Sequence, residues 1–448
     1  MGKDKILVVG AGLCGTLLAI RLAQKGFIVE LHEKRADMRK TAMIAGRSIN
    51  LALSNRGINA LRMVGMDAFM LKEAIPMYGR MIHNIDGSLM MQPYSGREGE
   101  YINSISRGGL NIGLLDKAET YTNLSLHFES DYINADIDKG LSYFKQLDGS
   151  VKEVLADLII GTDGAGSAVR QTMLNNGARI RFNFSQHFLE AGYKELHIPP
   201  AQDGGFKLEK HALHIWPRGG FMMIGLPNLD GSFTMTLFTD FKGETGFDRL
   251  ESKELVQEYF EKYFPDALNK MPHLTEDFFN NPTGSLGTIK CYPWHYSNKF
   301  LLMGDAAHAI VPFYGQGMNC SFEDAVVFDN CIDELGNNWQ EVLSAFQERR
   351  KDNTDAIADL AVYNYLEMRD LVADPVFIKK RKLETKLEQY FPDYFSKYSM
   401  VTFREDLPYT YAKEKGDEQN SVLMNICSQT EDIDQLDLEG VMKALKGK

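Results

Sequence analysis

A glycine-rich turn near the start of the chain has the residue types and spacing that point most directly to chemistry. Residues 6–9 form an unbroken apolar run, typical of a strand buried on both faces of a parallel sheet. Gly10, Gly12 and Gly15 follow in the G-x-G-x-x-G spacing, and an apolar pattern of helical period continues to residue 25. Such a turn lets backbone N–H groups at a helix N-terminus approach a pyrophosphate.

An acidic residue completes this pattern. Glu33 comes directly after the next β-rich run, residues 27–31. An acid at this distance from the glycines hydrogen-bonds the ribose of an adenosine. A glycine-rich turn alone is weak evidence, but strand, turn, helix, strand and acid together predict a Rossmann-like dinucleotide-binding domain.

The bulk properties limit the class of protein. A chain of 448 residues has room for two or three domains, and a net charge of −12 argues against nucleic acid as a partner. The five cysteines are scattered without a C-x-x-C, which predicts reduced thiols in the cytoplasm and no metal site. No apolar run has the length of a membrane span, so we expect no membrane anchor. The sequence carries no signal for an oligomeric state.

A predicted hairpin over residues 79–93 carries a candidate anion-binding pair. An Asp-Gly turn at residue 86 separates its two strands. A two-residue turn places Arg80 opposite Pro93, whereas a three-residue loop over residues 86–88 places it opposite Tyr94, both on one face. We favour the three-residue loop, because an Arg–Tyr pair suits a carboxylate. On spacing alone, a surface Arg beside an exposed aromatic is the commoner arrangement.

Further segments predict the rest of the dinucleotide-binding domain. Residues 48–53 begin a helical region that carries Arg56 as a solvated charge and runs to residue 65. A strand over residues 154–160 delivers Asp163 to the carboxyl edge of the sheet, where doubly wound sheets bind ligands.

A later strand, residues 299–303, leads into a loop rich in Pro and Gly and then a helix over residues 320–335. The N-terminus of that helix can face a group with partial negative charge. His308 on the loop has no identifiable partner, and a structural histidine is the simpler interpretation.

The middle and end of the chain differ from the beginning. Residues 211–216, 221–226 and 232–238 alternate with turns and predict an antiparallel meander, in which Phe238 shares a face with two threonines. Beyond residue 337 we expect helices over residues 339–350 and 355–372, then an extended stretch over residues 398–403.

We therefore predict an α/β protein: a Rossmann-like FAD-binding domain with an inserted antiparallel-sheet substrate domain and a C-terminal helical region. The predicted boundaries are 1–75, 100–180 and 293–335 for the first, 76–99 and 181–292 for the second, and 336–448 for the third.

Three separated motifs together resemble the single-component FAD-dependent aromatic hydroxylases. These are the glycine turn with Glu33, the pair Asp163-Gly164, and Gly304-Asp305 with the Pro/Gly loop over residues 312–317. The narrower resemblance, which runs from residue 5 to about residue 412, is to the kynurenine-hydroxylating members. It is carried by residues 46–53, 79–81, 92–94, 213–217, 304–319, 364–368 and 398–403.

The resemblance implies an enzyme of kynurenine and tryptophan degradation that binds FAD and consumes NADPH and O₂. It implies hydroxylation of L-kynurenine to 3-hydroxy-L-kynurenine through a flavin C(4a)-hydroperoxide, with no protein acid or base assigned. Eukaryotic members continue into a membrane anchor, which we do not carry over. Two alternatives remain: an FAD hydroxylase of another aromatic acid, or a non-catalytic flavin-binding regulator.

The same resemblance implies site residues by position. Arg80, Tyr94, Asn364 and Tyr398 would hold the substrate's amino-acid carboxylate, Phe238 and Phe313 would bracket its ring, and Glu367 and Met368 would line the pocket. The implied cofactor-binding residues are Gly10, Gly12, Leu13, Gly15, Glu33, Lys34, Arg35, Ala36, Ala52, Arg107, Asp163, Asp305, Gly317, Met318 and Asn319. Tyr314 receives no role.

Overall fold

The computed structural model describes residues 4–40, 50–371 and 374–447. Its strands are β1 (Lys5–Val9), β2 (Ile28–His32), β3 (Asn50–Leu53), β4 (Ala74–Met77), β5 (Gly79–His83), β6 (Leu89–Pro93), β7 (Ile102–Ser106), β8 (Leu124–His127), β9 (Asp131–Asp136), β10 (Leu141–Lys145), β11 (Val151–Leu155), β12 (Leu158–Gly161), β13 (Asn183–Ile198), β14 (Ala212–Pro217), β15 (Met222–Pro227), β16 (Phe233–Asp240), β17 (Thr283–Tyr292), β18 (His295–Tyr296) and β19 (Phe300–Leu302).

The α-helices are α1 (Leu13–Gln24), α2 (Asn55–Met63), α3 (Asp67–Lys72), α4 (Arg107–Glu119), α5 (Ala168–Asn175), α6 (Gly177–Ile180), α7 (Lys253–Tyr263), α8 (Pro265–Leu268), α9 (Leu274–Asn280), α10 (Asp305–His308), α11 (Gly317–Leu335), α12 (Trp339–Leu366), α13 (Pro375–Tyr390), α14 (Lys397–Thr402), α15 (Tyr409–Gln429) and α16 (Leu438–Leu445).

The glycine turn follows β1, a central strand of a largely parallel sheet with the order β18-β19-β12-β1-β2-β8. Four of the five residues of β1 are buried, as a central strand covered on both faces requires. The predicted strand over residues 154–160 is wrong as one element. Its first half is β11, in a separate three-stranded sheet, and its second half is β12, in the parallel sheet. The chain changes sheets at Asp157, whose side chain accepts a hydrogen bond from Lys5 N.

A second large sheet has the order β17-β13-β16-β15-β14-β5-β6. The predicted meander is confirmed as β14, β15 and β16, paired antiparallel. Met235 and Leu237 on one face of β16 join a core with helix α7, while Thr236 and Phe238 on the other face line a cavity. This two-sided use follows from the alternation of side chains along a strand. The predicted three-domain division stays a prediction.

Helix α2 begins later than predicted. Residues 50–53 are strand β3, paired with β7, and the helix starts at Asn55; residues 48 and 49 lie outside the described residues. Arg56 is not a solvated charge. It is 2% exposed, pairs with Glu323, donates to the carbonyl of Arg404 at 3.0 Å and lies 4.0 Å from the Tyr409 ring centroid. Tertiary contacts from the C-terminal helices, which the local pattern does not contain, supply these partners.

The C-terminal region is helical, as predicted, but its elements differ. The two predicted helices are one, α12, which runs on into a π-helical turn, Glu367–Leu371; the predicted end at residue 372 lies outside the described residues. The predicted extended stretch over residues 398–403 is wrong, because most of it is helix α14. Ser396 caps that helix by accepting a hydrogen bond from Ser399 N at 3.2 Å.

The β5–β6 hairpin has a different register from either predicted one. Arg80 pairs with Gln92, and Tyr94 N donates to Tyr78 O at 3.2 Å. The loop is three residues long, as predicted, but it begins one residue earlier. Its last residue, Gly87, has φ +83°, and a three-residue hairpin loop needs a left-handed residue there. The shift moves Tyr94 along the strand by two residues, so it stays on the same face as Arg80.

Among the described residues, we find no helix with the length and apolar character that crossing a membrane requires.

Candidate active site

One continuous cavity of about 720 Å³ lies between the parallel sheet and the seven-stranded sheet. Its lining runs from Gly10 and Glu33 at one end, past Pro312 in the middle, to Phe238 and Tyr398 at the other. The carboxyl ends of the parallel strands therefore open into the same space as the inner face of the second sheet. A dinucleotide cofactor and a small aromatic molecule can share this space.

The glycines of the turn have separate physical roles. A Cβ on Gly15 would lie 2.0 Å from Gly10 O, and a Cβ on Gly10, whose φ is +103°, would lie 2.7 Å from the Cα of Asp163. These two glycines permit close packing of backbone on backbone. A Cβ on Gly12 would meet nothing within 4 Å, because Gly12 faces the cavity. No side chain caps helix α1 at Gly12, and its first turn has no acidic residue, so its N-terminus suits a phosphate.

Glu33 lies buried beside this turn. Its Oε2 accepts a hydrogen bond from Ala11 N at 3.0 Å, and its Oε1 accepts from Arg35 N at 3.0 Å and Arg35 Nε at 2.7 Å. Burial opposes ionisation, but the bonds from Arg35 lower the pKa of Glu33 overall. The residue is therefore an ionised acceptor at the edge of the cavity, as a ribose hydroxyl requires.

The two aspartates at the sheet edge both line the cavity. Asp163 serves as a helix cap, because its carboxylate accepts from Ala168 N at 2.6 Å and Val169 N at 3.2 Å. Asp305 follows Gly304, whose φ of +62° turns the chain out of β19. Burial raises the pKa of Asp305, and the positive charge of Arg107 opposes this.

Helix α11 points its N-terminus at the cavity, where Gly317 and Met318 line the wall. Asn319 is fully buried and uses its amide on backbone: Nδ2 donates to Ala52 O and to Gly315 O, both at 2.8 Å. It therefore holds two wall segments in place rather than lining the cavity itself.

The cradle fits a flavin dinucleotide: an open glycine at an uncapped helix N-terminus, an ionised acid for ribose, and a second helix N-terminus farther along. Of the predicted cofactor residues, the cavity lining includes Gly10, Gly12, Leu13, Glu33, Lys34, Arg35, Ala52, Arg107, Asp163, Asp305, Gly317 and Met318. Gly15 and Asn319 lie buried behind that lining, and Ala36 is exposed outside it.

Three residues form what we call the arginine–tyrosine cluster: Arg80 and Tyr398, which line the cavity, and Tyr94, which is outside the lining and packs against both. Arg80 is 4% exposed and lies 4.9 Å from the Tyr398 ring centroid and 5.9 Å from that of Tyr94. Its Nη1 is 3.4 Å from Oε1 of Glu367, which lies on the π-helical turn. Within the described residues, the one ion pair of this buried guanidinium is long, so Arg80 keeps donors for a second anion.

The two tyrosines stack in parallel, with ring centroids 5.2 Å apart and an interplanar angle of 8°. Burial raises the pKa of both phenols, so both remain protonated donors near neutral pH. Within the part of the chain that the structure describes, the buried hydroxyl of Tyr94 has no hydrogen-bond partner. An unpaired buried donor beside a guanidinium suits a carboxylate ligand.

The two phenylalanines predicted to bracket the substrate ring lie next to each other on the cavity wall, in ring contact. Phe238 and Phe313 line the cavity with ring centroids 4.9 Å apart, and Met368 lines it as well. Asn364 lies behind the wall, where its Nδ2 donates to Phe313 O at 2.6 Å. Its contact in this structure is therefore with the loop that carries Phe313.

Tyr314 is a wall residue to which the sequence analysis gave no role. It lines the cavity and stacks on Tyr398, with centroids 5.6 Å apart. In the sequence, its position directly after Phe313 on the Pro/Gly loop could have indicated that it lines the cavity. His308 does have a partner: its Nε2 lies 2.6 Å from Oδ2 of Asp324, a fully buried carboxylate. Although burial opposes the charged form, Asp324 raises the pKa of His308 to about 10.

One group of potential metal ligands lies near the cofactor end, formed by Glu30, His32 and His127. Their ligand atoms lie within 4.8 Å of one another. The two imidazoles, however, stack face to face at 4.4 Å, and Lys5 already pairs with Glu30 at 2.9 Å. This geometry serves packing between β2 and β8 and not convergence on an ion.

Comparisons with known proteins agree with this geometry. Residues 3–361 match the FAD binding domain family. The chain is 44% identical to a kynurenine 3-monooxygenase of Myxococcus xanthus over 448 residues, covering 100% of this chain and 96% of that protein. It is 43% identical to the enzyme of the same name in Dictyostelium discoideum, covering 97% and 95% of the two chains. The chain belongs to the kynurenine 3-monooxygenase family.

Among solved structures, the chain is similar to 2-methyl-3-hydroxypyridine-5-carboxylic acid oxygenase, with a TM-score of 0.67 and 22% identity over 86% of this chain and 98% of that one. A p-nitrophenol 4-monooxygenase of Pseudomonas putida has a TM-score of 0.67 at 16% identity, covering 87% and 94%. These similarities support the fold alone. The predicted fold class, family and FAD cofactor are confirmed.

Proposed function

We propose that this protein hydroxylates L-kynurenine to 3-hydroxy-L-kynurenine, with FAD as its bound cofactor and NADPH and O₂ as co-substrates. The observation that carries the proposal is that Arg80 and Tyr398 of the arginine–tyrosine cluster line the same cavity as Phe238, Phe313 and the dinucleotide cradle. Kynurenine has a carboxylate at one end and an aromatic ring at the other. The relatives that share the sequence over their whole length carry the name of this reaction.

When bound, FAD supplies the redox chemistry, in which NADPH is oxidised and O₂ is divided between the ring hydroxyl and water. The ring's own amino group activates the carbon beside it, so no strong protein base is needed. The work left to the chain is to orient the ring, bind the remote carboxylate and keep water out.

The residues divide this work between them. Arg80 and the hydroxyls of Tyr94 and Tyr398 would bind the carboxylate, away from the reacting carbon, so their binding energy orients the ring. Phe238 and Phe313, which contact each other, would together pack against the ring from one wall. Glu367 and Met368 would close the wall, and Asn364 would act through the backbone of Phe313.

On the cofactor side, Gly12 and the N-terminus of α1 would hold the pyrophosphate, and Glu33 the adenosine ribose. Lys34, Arg35 and Arg107 would surround the rest of the dinucleotide. The N-terminus of α11 would face the flavin ring. We further propose a cytoplasmic location, supported by the five cysteines, which are buried free thiols.

The test is NADPH oxidation by the FAD-loaded protein with and without L-kynurenine, with the product identified by mass. We expect kynurenine to stimulate oxidation and 3-hydroxykynurenine to accumulate in step with NADPH consumed. Stimulation without hydroxylated product would reduce kynurenine to an effector. If kynurenine does not stimulate NADPH oxidation, its assignment as the substrate is refuted.

A further inference from the structure

The two tyrosines of the arginine–tyrosine cluster come from distant parts of the chain. Tyr94 follows strand β6, and Tyr398 lies on the short helix α14. Their parallel stacking therefore depends on whatever fixes these two segments relative to each other. A single side chain from a third element, Glu388 on helix α13, contacts both segments.

Glu388 accepts hydrogen bonds from each segment close to its tyrosine. Its Oε2 accepts from Gly96 N at 2.9 Å, two residues after Tyr94. Its Oε1 accepts from Ser396 N at 3.0 Å, two residues before Tyr398, and from Ser399 Oγ at 2.5 Å, one residue after it. The carboxylate thus fixes the backbone next to both rings.

The surroundings are built for this contact. Gly96 packs so tightly on α13 that a Cβ there would lie 2.2 Å from Thr385 O. Arg97 Nη1 is 3.7 Å from Glu388 Oε1, and Arg97 Nη2 donates to Pro392 O at 3.3 Å. Glu388 is only 4% exposed, and a carboxylate this buried is stable only when its oxygens are bonded.

We propose that Glu388 is a positioning residue for substrate recognition, acting through Gly96, Ser396 and Ser399 to hold Tyr94 and Tyr398 against Arg80. The inference rests on the proposed function, since it assigns the cluster to the amino-acid end of kynurenine. Glu388 itself does not line the cavity.

The test compares binding of two ligands to the FAD-loaded protein, followed by the change in flavin absorbance. L-Kynurenine carries the amino-acid group, whereas 2-aminoacetophenone carries the same aminophenyl ketone without it. In Glu388→Gln, the one amide oxygen can accept a hydrogen bond from only one of the two segments. The amide NH₂ group, itself a donor, then faces the backbone N–H donor of the other segment. We expect the Kd for kynurenine to rise about tenfold or more and the Kd for 2-aminoacetophenone to change less than about twofold.

A control and a milder variant separate positioning from loss of stability. Asp374 caps the same helix by accepting from Phe377 N at 2.8 Å, and no hydrogen bond among the described residues joins its side chain to either tyrosine segment. Asp374→Ala should lower Tm without changing the ratio of the two Kd values. Ser399→Ala keeps the Glu388 charge and both backbone bonds, so it should fold even if Glu388→Gln does not. It should raise the kynurenine Kd about two- to fivefold, with no change for 2-aminoacetophenone.

Two results would overturn the proposal. In the first, the unmutated protein binds kynurenine, but the Glu388 and Ser399 variants either lose the same affinity for both ligands or lose none for either. This result would leave the proposed function intact. The other is that the unmutated protein does not bind kynurenine, which would overturn the proposed function and this inference together.

Discussion

The glycine turn and the arginine–tyrosine cluster lie at opposite ends of one cavity and are built in opposite ways. Gly10, Gly12 and Gly15 lie within six residues of one another. Gly15 is constrained by the backbone of Gly10 and Gly10 by the backbone at an adjoining strand end, while Gly12 is open to the cavity. The cluster joins Arg80, Tyr94 and Tyr398, the last from helix α14 far along the chain. A site dictated by local backbone geometry can be read from a short motif, whereas an assembled site depends on strand register and on packing between distant elements.

The largest effect should come from breaking the local site. In Gly15→Ala, the new Cβ would lie 2.0 Å from Gly10 O, which is backbone and cannot move aside. Overpacking of this kind costs about 3 kcal/mol. We expect little FAD in the purified protein and a strongly reduced Tm. Gly12→Ala is the matched control, because its Cβ meets nothing within 4 Å, and it should keep the fold. Equal behaviour of the two variants would contradict separate roles for these glycines.

Removing the centre of the assembled site should act on substrate and not on the cofactor. Arg80→Ala deletes the guanidinium and leaves Glu367 without its ion pair. Losing one partner of a buried charged contact costs about 2–5 kcal/mol, so KM for kynurenine should rise about 100-fold. FAD content should remain normal, and kcat should change less. Steady-state kinetics measure this, and an unchanged KM would refute the carboxylate role.

A third experiment tests the buried ion pair His308–Asp324, which joins helix α10 to helix α11. Because the pKa of His308 is raised to about 10, its charge stabilises the folded state fully below its unfolded pKa near 6.5. That contribution is lost as pH rises from about 6.5 to about 10. We expect Tm to fall over this range and the fall to be smaller in His308→Gln. His273→Gln, at an exposed histidine, should follow the unmutated protein. Parallel Tm curves for all three would exclude the pair as the cause.

The smallest effect should come from one link between the C-terminal helices and the cavity wall. Tyr409 OH donates to Oε1 of Gln316 at 3.0 Å, next to the start of α11. Tyr409→Phe leaves that buried acceptor without its partner at a cost of about 1 kcal/mol. Tm should fall by about 1 °C, with FAD content and KM unchanged. A larger fall, or loss of FAD, would mean that the C-terminal helices support the cofactor site more strongly than this bond implies.

The same contrast explains what the sequence could predict. The parallel sheet, the meander and the strand–turn–helix structure around the three glycines follow from local apolar runs and turn residues, and these predictions are confirmed. The hairpin register failed because the position of the left-handed Gly87 within the loop was misassigned. Arg80 and Tyr94 nevertheless share a face, since a shift of two residues preserves alternation.

The errors in helices and charges have a different cause. The stretch around Tyr398 was predicted as extended because the local cap that Ser396 forms on helix α14 was overlooked. Arg56 and the partner of His308 depend on tertiary contacts, with segments hundreds of residues away in the first case and across a loop in the second. No local period encodes such contacts. Glu388 was missed for the same reason, because its significance comes from what it touches and not from a motif. Tyr314 lies inside the motif over residues 304–319, but its stacking on Tyr398 joins segments that are distant in sequence.

The shared cavity also affects how much of this protein stays folded in a cell. Its walls come from both large sheets and from the C-terminal helices. A bound cofactor would therefore contact parts of the chain that the cavity otherwise separates. A ligand that binds only the folded state stabilises it by mass action, by about 2.7 kcal/mol when its concentration is 100 times its Kd. Flavin supply would therefore set the steady-state abundance of this protein as well as its turnover, with the apo chain the form most open to degradation.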